Sequence, residues 1–221
     1  MKSRNRTPSQ IIGYGLYLYF LGLSFRSTAK ALSFLLLVKI SHVSIWSWLQ
    51  KYRPRKYLKK KKIKEYIIDE TVIKAGSETI WLWAIIEPKN KEILATNISK
   101  KRNISIAKRF LSYVVNKYGL HDVSTDGGTW YPGACKFLNL HHHTHSAFEK
   151  SIIERTMQYV KDRTESFDDY FPCKKNKCKL NHIKQWLKLF VYEHNKGIMC
   201  IINLLNIIIS TCGSVNLRKN I

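Results

Sequence analysis

The segment EYIIDETVI, residues 65–73, is where the chain changes from helical to alternating apolar periodicity. The segments TIWLWAIIE, residues 79–87, and EILATNI, residues 92–98, continue the alternation, and the charged PKNKE between them is typical of a hairpin turn. All three segments are rich in the branched and aromatic side chains that strands favour. Residues 65–98 therefore predict three antiparallel strands.

The residues that follow predict helices alternating with further strands. ISIAKRFLSYVVNKYG, residues 104–119, has apolar residues at helical spacing and ends in Gly119, a typical C-terminal cap. HDVST, residues 121–125, predicts a fourth strand, residues 139–145 a fifth, and residues 147–163 a helix. This order fits an α/β fold of the ribonuclease-H-like kind, a mixed sheet flanked by helices.

Two acids occupy unusual positions in this predicted sheet. Asp69 lies on one strand face with apolar neighbours, where an acid is rarely buried unless it is paired or bound to a metal. Asp126 directly follows the fourth strand, and Gly127 and Gly128 leave room beside it for a ligand. Asp126 taken alone is better explained as a turn residue, because turns favour Asp followed by Gly.

A third acid makes a catalytic role the better explanation of Asp126. On the predicted helix 147–163, Glu154, Gln158 and Lys161 form one polar stripe, and the apolar sides are Phe148 with Ile152 and Ile153 with Val160. Hard divalent cations such as Mg²⁺ take oxygen ligands, and two of them can activate water or a 3′-hydroxyl for phosphoryl transfer. The three acids therefore predict a metal site that cuts a polyanion held by a basic surface.

Three helices are predicted ahead of the sheet, over residues 9–21, 27–37 and 41–52. Ser9 and Ser27 are candidate N-terminal caps of the first two, and the third must end before Pro54. The third helix has Ile45, Leu49 and Tyr52 on its core side and His42, Ser44, Ser47 and Lys51 on its outer side. This pattern fits a helix-turn-helix domain that reads DNA, or a small helical bundle that binds nothing.

The charge favours DNA binding. The net charge is +23, and residues 1–66 hold 15 Lys and Arg against one acid, Glu65. The run KYRPRKYLKKKKIK, residues 51–64, follows the candidate recognition helix and places Lys51, Arg53 and Arg55 where they can contact phosphates. We therefore predict a DNA-binding domain over residues 1–53, a basic linker over 54–64, a catalytic domain over 65–195 and an apolar end over 196–221.

Cysteines and hydropathy indicate the compartment. Five cysteines form no even disulfide framework, no apolar stretch is long and uncharged enough to span a membrane, and no signal peptide is evident. We expect free thiols and a reducing, cytoplasmic compartment. The six tryptophans are predicted to pack in cores, with Trp130, just after Asp126, the one nearest the candidate site.

A zinc site is weighed and set aside. The candidate ligands are His141, His142, His143, His145, Cys173 and Cys178. The thiol spacing fits the usual zinc patterns poorly, and adjacent histidines in a strand point to opposite faces.

With these motifs assembled, the chain resembles the insertion-sequence-six family of transposases. The resemblance covers roughly residues 14–195: YFLGLSFRSTAKAL and SHVSIWSWLQKYRP resemble the family's helix-turn-helix, and IIDETVIKAGSETIWLWAIIEPKNKEILA its first-Asp strand and hairpin. STDGGTWYPGA and SIIERTMQYVKDRTESFDDYFP resemble the second-Asp segment and the Glu helix.

The resemblance implies an Asp-Asp-Glu triad of Asp69, Asp126 and Glu154, with Lys161 contacting donor DNA. It also implies two Mg²⁺ (or Mn²⁺) ions, hydrolysis that frees a 3′-hydroxyl at the element's end, and attack of that hydroxyl on target DNA. The partners are then the element's terminal repeats and target DNA, with no membrane. A homo-oligomer is expected, since two ends must be held together.

The sequence departs from the family pattern in two places. The gap from Asp126 to Glu154 is short for the family, and the isoleucine-rich end after residue 196 does not align with it. A frameshifted or truncated copy is one hypothesis, which sibling elements would test. The rival interpretations are a DNA-binding protein with an inactive catalytic domain and a structure-specific nuclease of the same fold.

Overall fold

The computed structural model describes residues 7–53, 63–75, 78–165 and 180–215. Its elements follow the predicted order, with two additional helices, α5 and α7, that the sequence analysis did not predict. The elements are α1 (Ser9–Phe20), α2 (Phe25–Leu36), α3 (His42–Lys51), β1 (Glu65–Ala75), β2 (Glu78–Glu87), β3 (Glu92–Ser99), α4 (Ile104–Tyr118), β4 (Asp122–Thr125), α5 (Trp130–Phe137), β5 (His142–Thr144), α6 (Ala147–Glu165) and α7 (Leu180–Val215).

The five strands form one mixed sheet in the order β3-β2-β1-β4-β5. The pairs β1–β2 and β2–β3 are antiparallel, whereas β1–β4 and β4–β5 are parallel. Helices cover both faces, with α4 and α5 on one side and α6 and α7 on the other. This arrangement confirms the predicted ribonuclease-H-like fold.

The central strand β1 has helices on both faces, and the alternation of its side chains determines which face each one occupies. Ile67 and Ile73 belong to the core beneath α6 and α7. Tyr66 and Ile68 belong to the core beneath α4 and α5. Because side chains alternate along a strand, Asp69 falls on the same side as Ile67, facing α6.

The helix caps differ from those predicted at α1 and α2. Ser9 is the first residue of α1, and the preceding Pro8 makes no side-chain cap. The cap of α2 is Ser24, which is extended and accepts a hydrogen bond from the Ser27 backbone N–H at 3.1 Å. Both predicted caps are therefore wrong, because each helix begins at or before the chosen serine. Ser41 caps α3 as the predicted start near residue 41 implies.

The three N-terminal helices share a hydrophobic core with the sheet, α6 and α7. Arg163 on α6 donates to the Tyr19 carbonyl at 2.6 Å, and Tyr159 donates to the Phe20 carbonyl at 2.9 Å. The described parts of α1 to α3 and of the catalytic region therefore pack as neighbours. The domain boundaries at residues 53, 64 and 195 stay predictions.

Helix α7 passes through residue 195 without interruption. Asn195 exchanges two hydrogen bonds of 2.9 Å with the backbone of Ile93, so the helix covers the outer edge of β3. Within the described ranges, no helix has the length and apolar character needed to cross a membrane.

Candidate active site

Two of the predicted acids meet where strand β4 ends, beside the middle of its parallel neighbour β1. Asp69 lies on β1, and Asp126 follows the last residue of β4. One carboxylate oxygen from each of Asp69, Asp126 and Glu70 lies within 4.8 Å of the others. Asp126 thus has the usual location of a ligand residue in an α/β sheet, beyond the carboxyl end of a strand, and Asp69 lies next to it within the neighbouring strand.

The two glycines after Asp126 serve different purposes. Gly127 has a φ of +90°, a conformation that side chains strain, and nothing lies within 4 Å of where a Cβ would be. At Gly128 an added Cβ would stand 2.7 Å from the Trp130 ring. The Gly128 N–H donates to Asp126 Oδ1 at 2.9 Å and fixes that carboxylate. The expected room for a ligand therefore exists beside Gly127, whereas Gly128 is packed against an aromatic ring.

The third predicted acid faces Asp69 across an open groove. Helix α6 and strand β1 line this groove of about 450 Å³ with Asp69, Thr71, Glu154, Arg155, Met157, Gln158 and Lys161. The Glu154 side chain is 59% exposed, lies 3.9 Å from the Lys150 ammonium, and is not part of the 4.8 Å cluster. The structure thus places Glu154 and Lys161 in the same groove as Asp69, with Glu154 on the opposite wall.

One part of the predicted helix pattern is wrong. Ile152, Ile153 and Val160 are buried as expected, but Phe148 is 65% exposed. Phe148 lies in the first turn of α6.

The electrostatics of the groove favour a bound cation. Burial raises the pKa of Asp69 to about 7; the Glu70 backbone N–H opposes this shift, and the negative charges of Glu70, Asp126 and Glu154 add to it. An acid with a pKa this high is one whose negative charge lacks compensation. A divalent cation among these oxygens would supply that compensation.

Glu70 is a neighbour that sequence reasoning missed. Its buried carboxylate accepts hydrogen bonds from Tyr131 and, at 3.3 Å, from Arg102. The Arg102 guanidinium lies 4.2 Å from the ring centres of both Trp81 and Trp130. Burial raises the pKa of Glu70, although its bonds to Tyr131 and Arg102 act in the opposite direction. The sequence feature that could have indicated Glu70 is its position directly after Asp69 in IIDETVI.

His145 is a second missed neighbour of Asp126. Its backbone N–H donates to the Thr125 carbonyl at 2.8 Å, and its Nδ1 lies 2.7 Å from Ser124 Oγ. Burial lowers the pKa of His145, although nearby Glu149 and Asp126 act to raise it. Its Nε2 is buried with no hydrogen-bond partner among the described residues. The single Ser124 proton goes to Glu149, so the neutral ring carries its proton on Nδ1 and leaves Nε2 unprotonated.

The other histidines of the segment point in different directions, as expected for a strand. His142 meets the Thr125 hydroxyl at 2.8 Å, and His143 lies beside Glu65 and Glu149. Burial and the nearby Glu149 raise the pKa of Glu65 to about 7. Burial acts to raise the pKa of Glu149, but hydrogen bonds from Ser146 and His143 outweigh it and lower that pKa to about 2. Cys173 and Cys178 lie outside the described residues.

The candidate DNA-binding residues of α3 occupy its outer side to different degrees. His42, Lys51 and Arg53 are exposed, whereas Ser44 and Ser47 are half-buried. A second open groove, about 400 Å³ in volume, lies between α2 and α3 and is lined by Arg26, Ala29, Lys30, Ser33, Ile40, Ser41 and His42. Arg55 lies outside the described residues.

The tryptophan and cysteine expectations are partly confirmed. Trp83 and Trp186 are buried, and Trp48, Trp81 and Trp130 are half-buried. Trp46 is exposed on α3, so packing was the wrong expectation there. Cys135 is a buried free thiol, as expected.

Comparison with known proteins gives a family match and a sequence relative. A family model of a DDE domain, that of IS240 transposases, matches residues 63–204, a segment that contains Asp69, Asp126 and Glu154 and continues past residue 195. An uncharacterized protein of Methanocaldococcus jannaschii is 32% identical over 197 residues, covering 87% of this chain and 88% of the relative.

Solved structures of retroviral proteins also align with the chain. The simian T-cell lymphotropic virus intasome in complex with a PP2A regulatory subunit aligns with a TM-score of 0.47 and 17% identity, over 80% of this chain and 67% of that one. The catalytic core domain of BIV integrase aligns with a TM-score of 0.44 and 14% identity, over 59% of this chain and 82% of that one. The HTLV-2 integrase catalytic core domain in complex with magnesium aligns with a TM-score of 0.44 and 15% identity, over 57% of this chain and 83% of that one.

Proposed function

The chain belongs to the insertion-sequence-six family of DDE transposases and is a DNA transposase, and we propose that Asp69, Asp126 and Glu154 are its catalytic carboxylates. One observation carries this assignment. The carboxylates of Asp69 within β1 and Asp126 just after β4 lie within 4.8 Å of each other, and Glu154 lines the same groove as Asp69.

The donor set fits hard divalent cations, and we propose two Mg²⁺ or Mn²⁺ ions held by these three residues. All three offer carboxylate oxygens, the ligands that Mg²⁺ prefers. The raised pKa of Asp69 supports the assignment, since a buried acid without a cation holds its proton up to about pH 7. When bound, such ions activate the attacking oxygen and stabilise the leaving oxygen of a phosphoryl transfer.

The side chains around the groove have separable tasks in this proposal. The Gly128 N–H fixes the orientation of the Asp126 carboxylate. Hydrogen bonds from Tyr131 and Arg102 hold the Glu70 carboxylate in place beside Asp69 and Asp126. Lys161, seven positions after Glu154 on α6, would contact the phosphate backbone of the donor strand. Water attacks phosphorus at the element's end and the P–O3′ bond breaks; the freed 3′-hydroxyl then attacks a target phosphate and displaces its 3′-oxygen.

DNA binding outside the groove is assigned to the basic first third. We propose that α3 presents His42, Ser44, Ser47 and Lys51 to the element's terminal repeats, with Arg53 and Arg55 on phosphates. The exposure of His42, Lys51 and Arg53 supports this. We further propose that the protein acts as a homo-oligomer, because two ends must be held together. Its place of action is then the prokaryotic cytoplasm, at the nucleoid.

The test is a cleavage and joining assay. Purified protein is incubated with a labelled duplex from the element's end and a target plasmid, with Mg²⁺ or Mn²⁺, and wild type is compared with Asp126→Asn. The matched control is Asp162→Asn, an exposed α6 carboxylate outside the groove lining that loses the same charge. End-specific cutting and joining in wild type and the control, lost in Asp126→Asn, is the expected result.

Other outcomes would replace the proposal with a rival. Specific DNA binding without metal-dependent chemistry in any of the three proteins would indicate an inactive catalytic domain. Cutting without joining would indicate a nuclease. Equal activity in wild type and Asp126→Asn would remove Asp126 from the metal site.

A further inference from the structure

A second cluster of potential metal ligands lies away from the groove, where β1 begins. Its members are Glu65 at the start of β1, His143 on β5 and Glu149 in the first turn of α6. His143 Nε2 is 3.0 Å from Glu65 Oε1 and 3.3 Å from Glu149 Oε1. One ligand atom from each residue lies within 4.8 Å of the other two.

The remaining contacts of Glu149 fix which oxygen faces the cluster. Glu149 Oε2 accepts the Ser146 backbone N–H at 2.6 Å and the Ser124 hydroxyl at 3.1 Å. Those two bonds occupy the second oxygen and hold the carboxylate plane. Glu149 Oε1 is therefore directed at His143 by the fold around it.

The cluster is sheltered on its acidic side. The Glu65 and Glu149 side chains are only 14% and 10% exposed, and His143 is 37% exposed. Two carboxylates in this position are held close together with little water around them. Two like charges this close repel each other, so the pair needs either a proton or a cation between its members.

A protonated His143 is the simplest such cation, but its geometry is poor for the task. Only one proton is available on Nε2, and hydrogen bonds weaken as they depart from linearity, so it cannot point straight at both oxygens. The distances instead suit a metal. Zinc bonds of about 2.0–2.1 Å in a tetrahedron place neighbouring ligand atoms roughly 3.3 Å apart. The two distances from Nε2, 3.0 and 3.3 Å, are close to that value.

We propose that Glu65, His143 and Glu149 bind one divalent cation of the zinc class, at a site separate from the Asp69 and Asp126 carboxylates. One imidazole nitrogen and two carboxylate oxygens are ligands that Zn²⁺ accepts, and the imidazole disfavours Mg²⁺. Water would fill the fourth position on the exposed side of His143. The ion would tie the first turn of α6, the helix that carries Glu154, to β1 and β5.

The test measures zinc in the full chain carrying Asp126→Asn, so that the catalytic acids contribute less to the binding. Protein stripped with a chelator is dialysed against buffered Zn²⁺, and bound zinc per chain is measured by atomic emission. We expect one zinc per chain, and at least about tenfold weaker binding after His143→Gln, since even outer-shell changes cost that much. His141→Gln is the matched control, because its exposed ring contacts Asp122 and lies outside the cluster.

Further variants keep the result decisive. Glu65→Gln preserves side-chain shape and should also weaken binding, so the proposal can be judged even if His143→Gln fails to fold. Cys173→Ser with Cys178→Ser should leave zinc bound. Absence of zinc from the parent, zinc retained after both His143→Gln and Glu65→Gln, or zinc lost only with the cysteines would each overturn the site. None of these outcomes bears on whether the protein cuts DNA.

Discussion

Replacing Asp69 with Asn should stabilise the metal-free protein, and the gain should grow with pH. Burial raises the pKa of Asp69 from 3.8 to about 7 in the folded protein, with the neighbouring acids adding to the shift. Between these values the folded state keeps a proton that the unfolded chain has lost, so wild-type stability falls as pH rises. Asn carries no such proton and mimics the neutral acid.

The magnitude follows from the linkage between proton binding and stability. Inside this window each pH unit changes the free energy of unfolding by about 1.4 kcal/mol per proton. The stability difference between Asp69→Asn and wild type should therefore widen by about 2–3 kcal/mol from pH 5 to pH 7. It should level off above about pH 7, where both states of wild type have lost the proton.

Urea unfolding in EDTA, followed by tryptophan fluorescence at several pH values from 5 to 8, measures this difference. Thr71→Val is the matched control, because it changes the same groove wall without removing an ionisable group. The difference in free energy of unfolding between Thr71→Val and wild type should not depend on pH. Adding Mg²⁺ at pH 8 should stabilise wild type more than Asp69→Asn. Parallel stability curves for Asp69→Asn and wild type would refute the reasoning about buried charge.

Three other substitutions have predictable effects on stability. Tyr131→Phe should cost about 1–3 kcal/mol, since it leaves the buried Glu70 carboxylate one hydrogen bond short; an unchanged urea midpoint would contradict this. Gly128→Ala should cost about 1–3 kcal/mol because the added methyl meets the Trp130 ring, and combining it with Trp130→Leu should recover part of that loss. Ser41→Ala should cost about 1 kcal/mol by removing the cap of α3, measurable as a lower melting temperature.

Much of the sheet could be predicted because its strands carry their own pattern. Alternation over residues 65–98 located the hairpin strands, and Gly119 marked the end of α4. Helix α5 was missed because it begins just after two glycines and contains Pro132 and Gly133, residues that normally argue against a helix. Helix α7 was missed because residues 180–195 were given no element and the isoleucine-rich residues after 196 were interpreted as a departure from the family pattern.

The candidate site was predictable in its acids but not in their surroundings. Asp69 and Asp126 were recognised by their positions in and just after predicted strands, and the parallel pairing of β1 with β4 brings them together. The contacts of Glu70 with Tyr131 and Arg102 join residues far apart in sequence, and no local pattern specifies them. Likewise, the periodicity that placed Phe148 on an apolar side could not show that its side chain is 65% exposed among the described residues.

The groove takes one wall from β1 and the other from α6, which leave the ribosome at different times. A polypeptide released before α6 is made would still carry the basic N-terminal helices and Asp69. It would lack Glu154 and also the α6 and α7 surfaces against which α1 to α3 pack. Only a chain that extends through α6 therefore has both groove walls, so termination before α6 would yield basic fragments that lack Glu154.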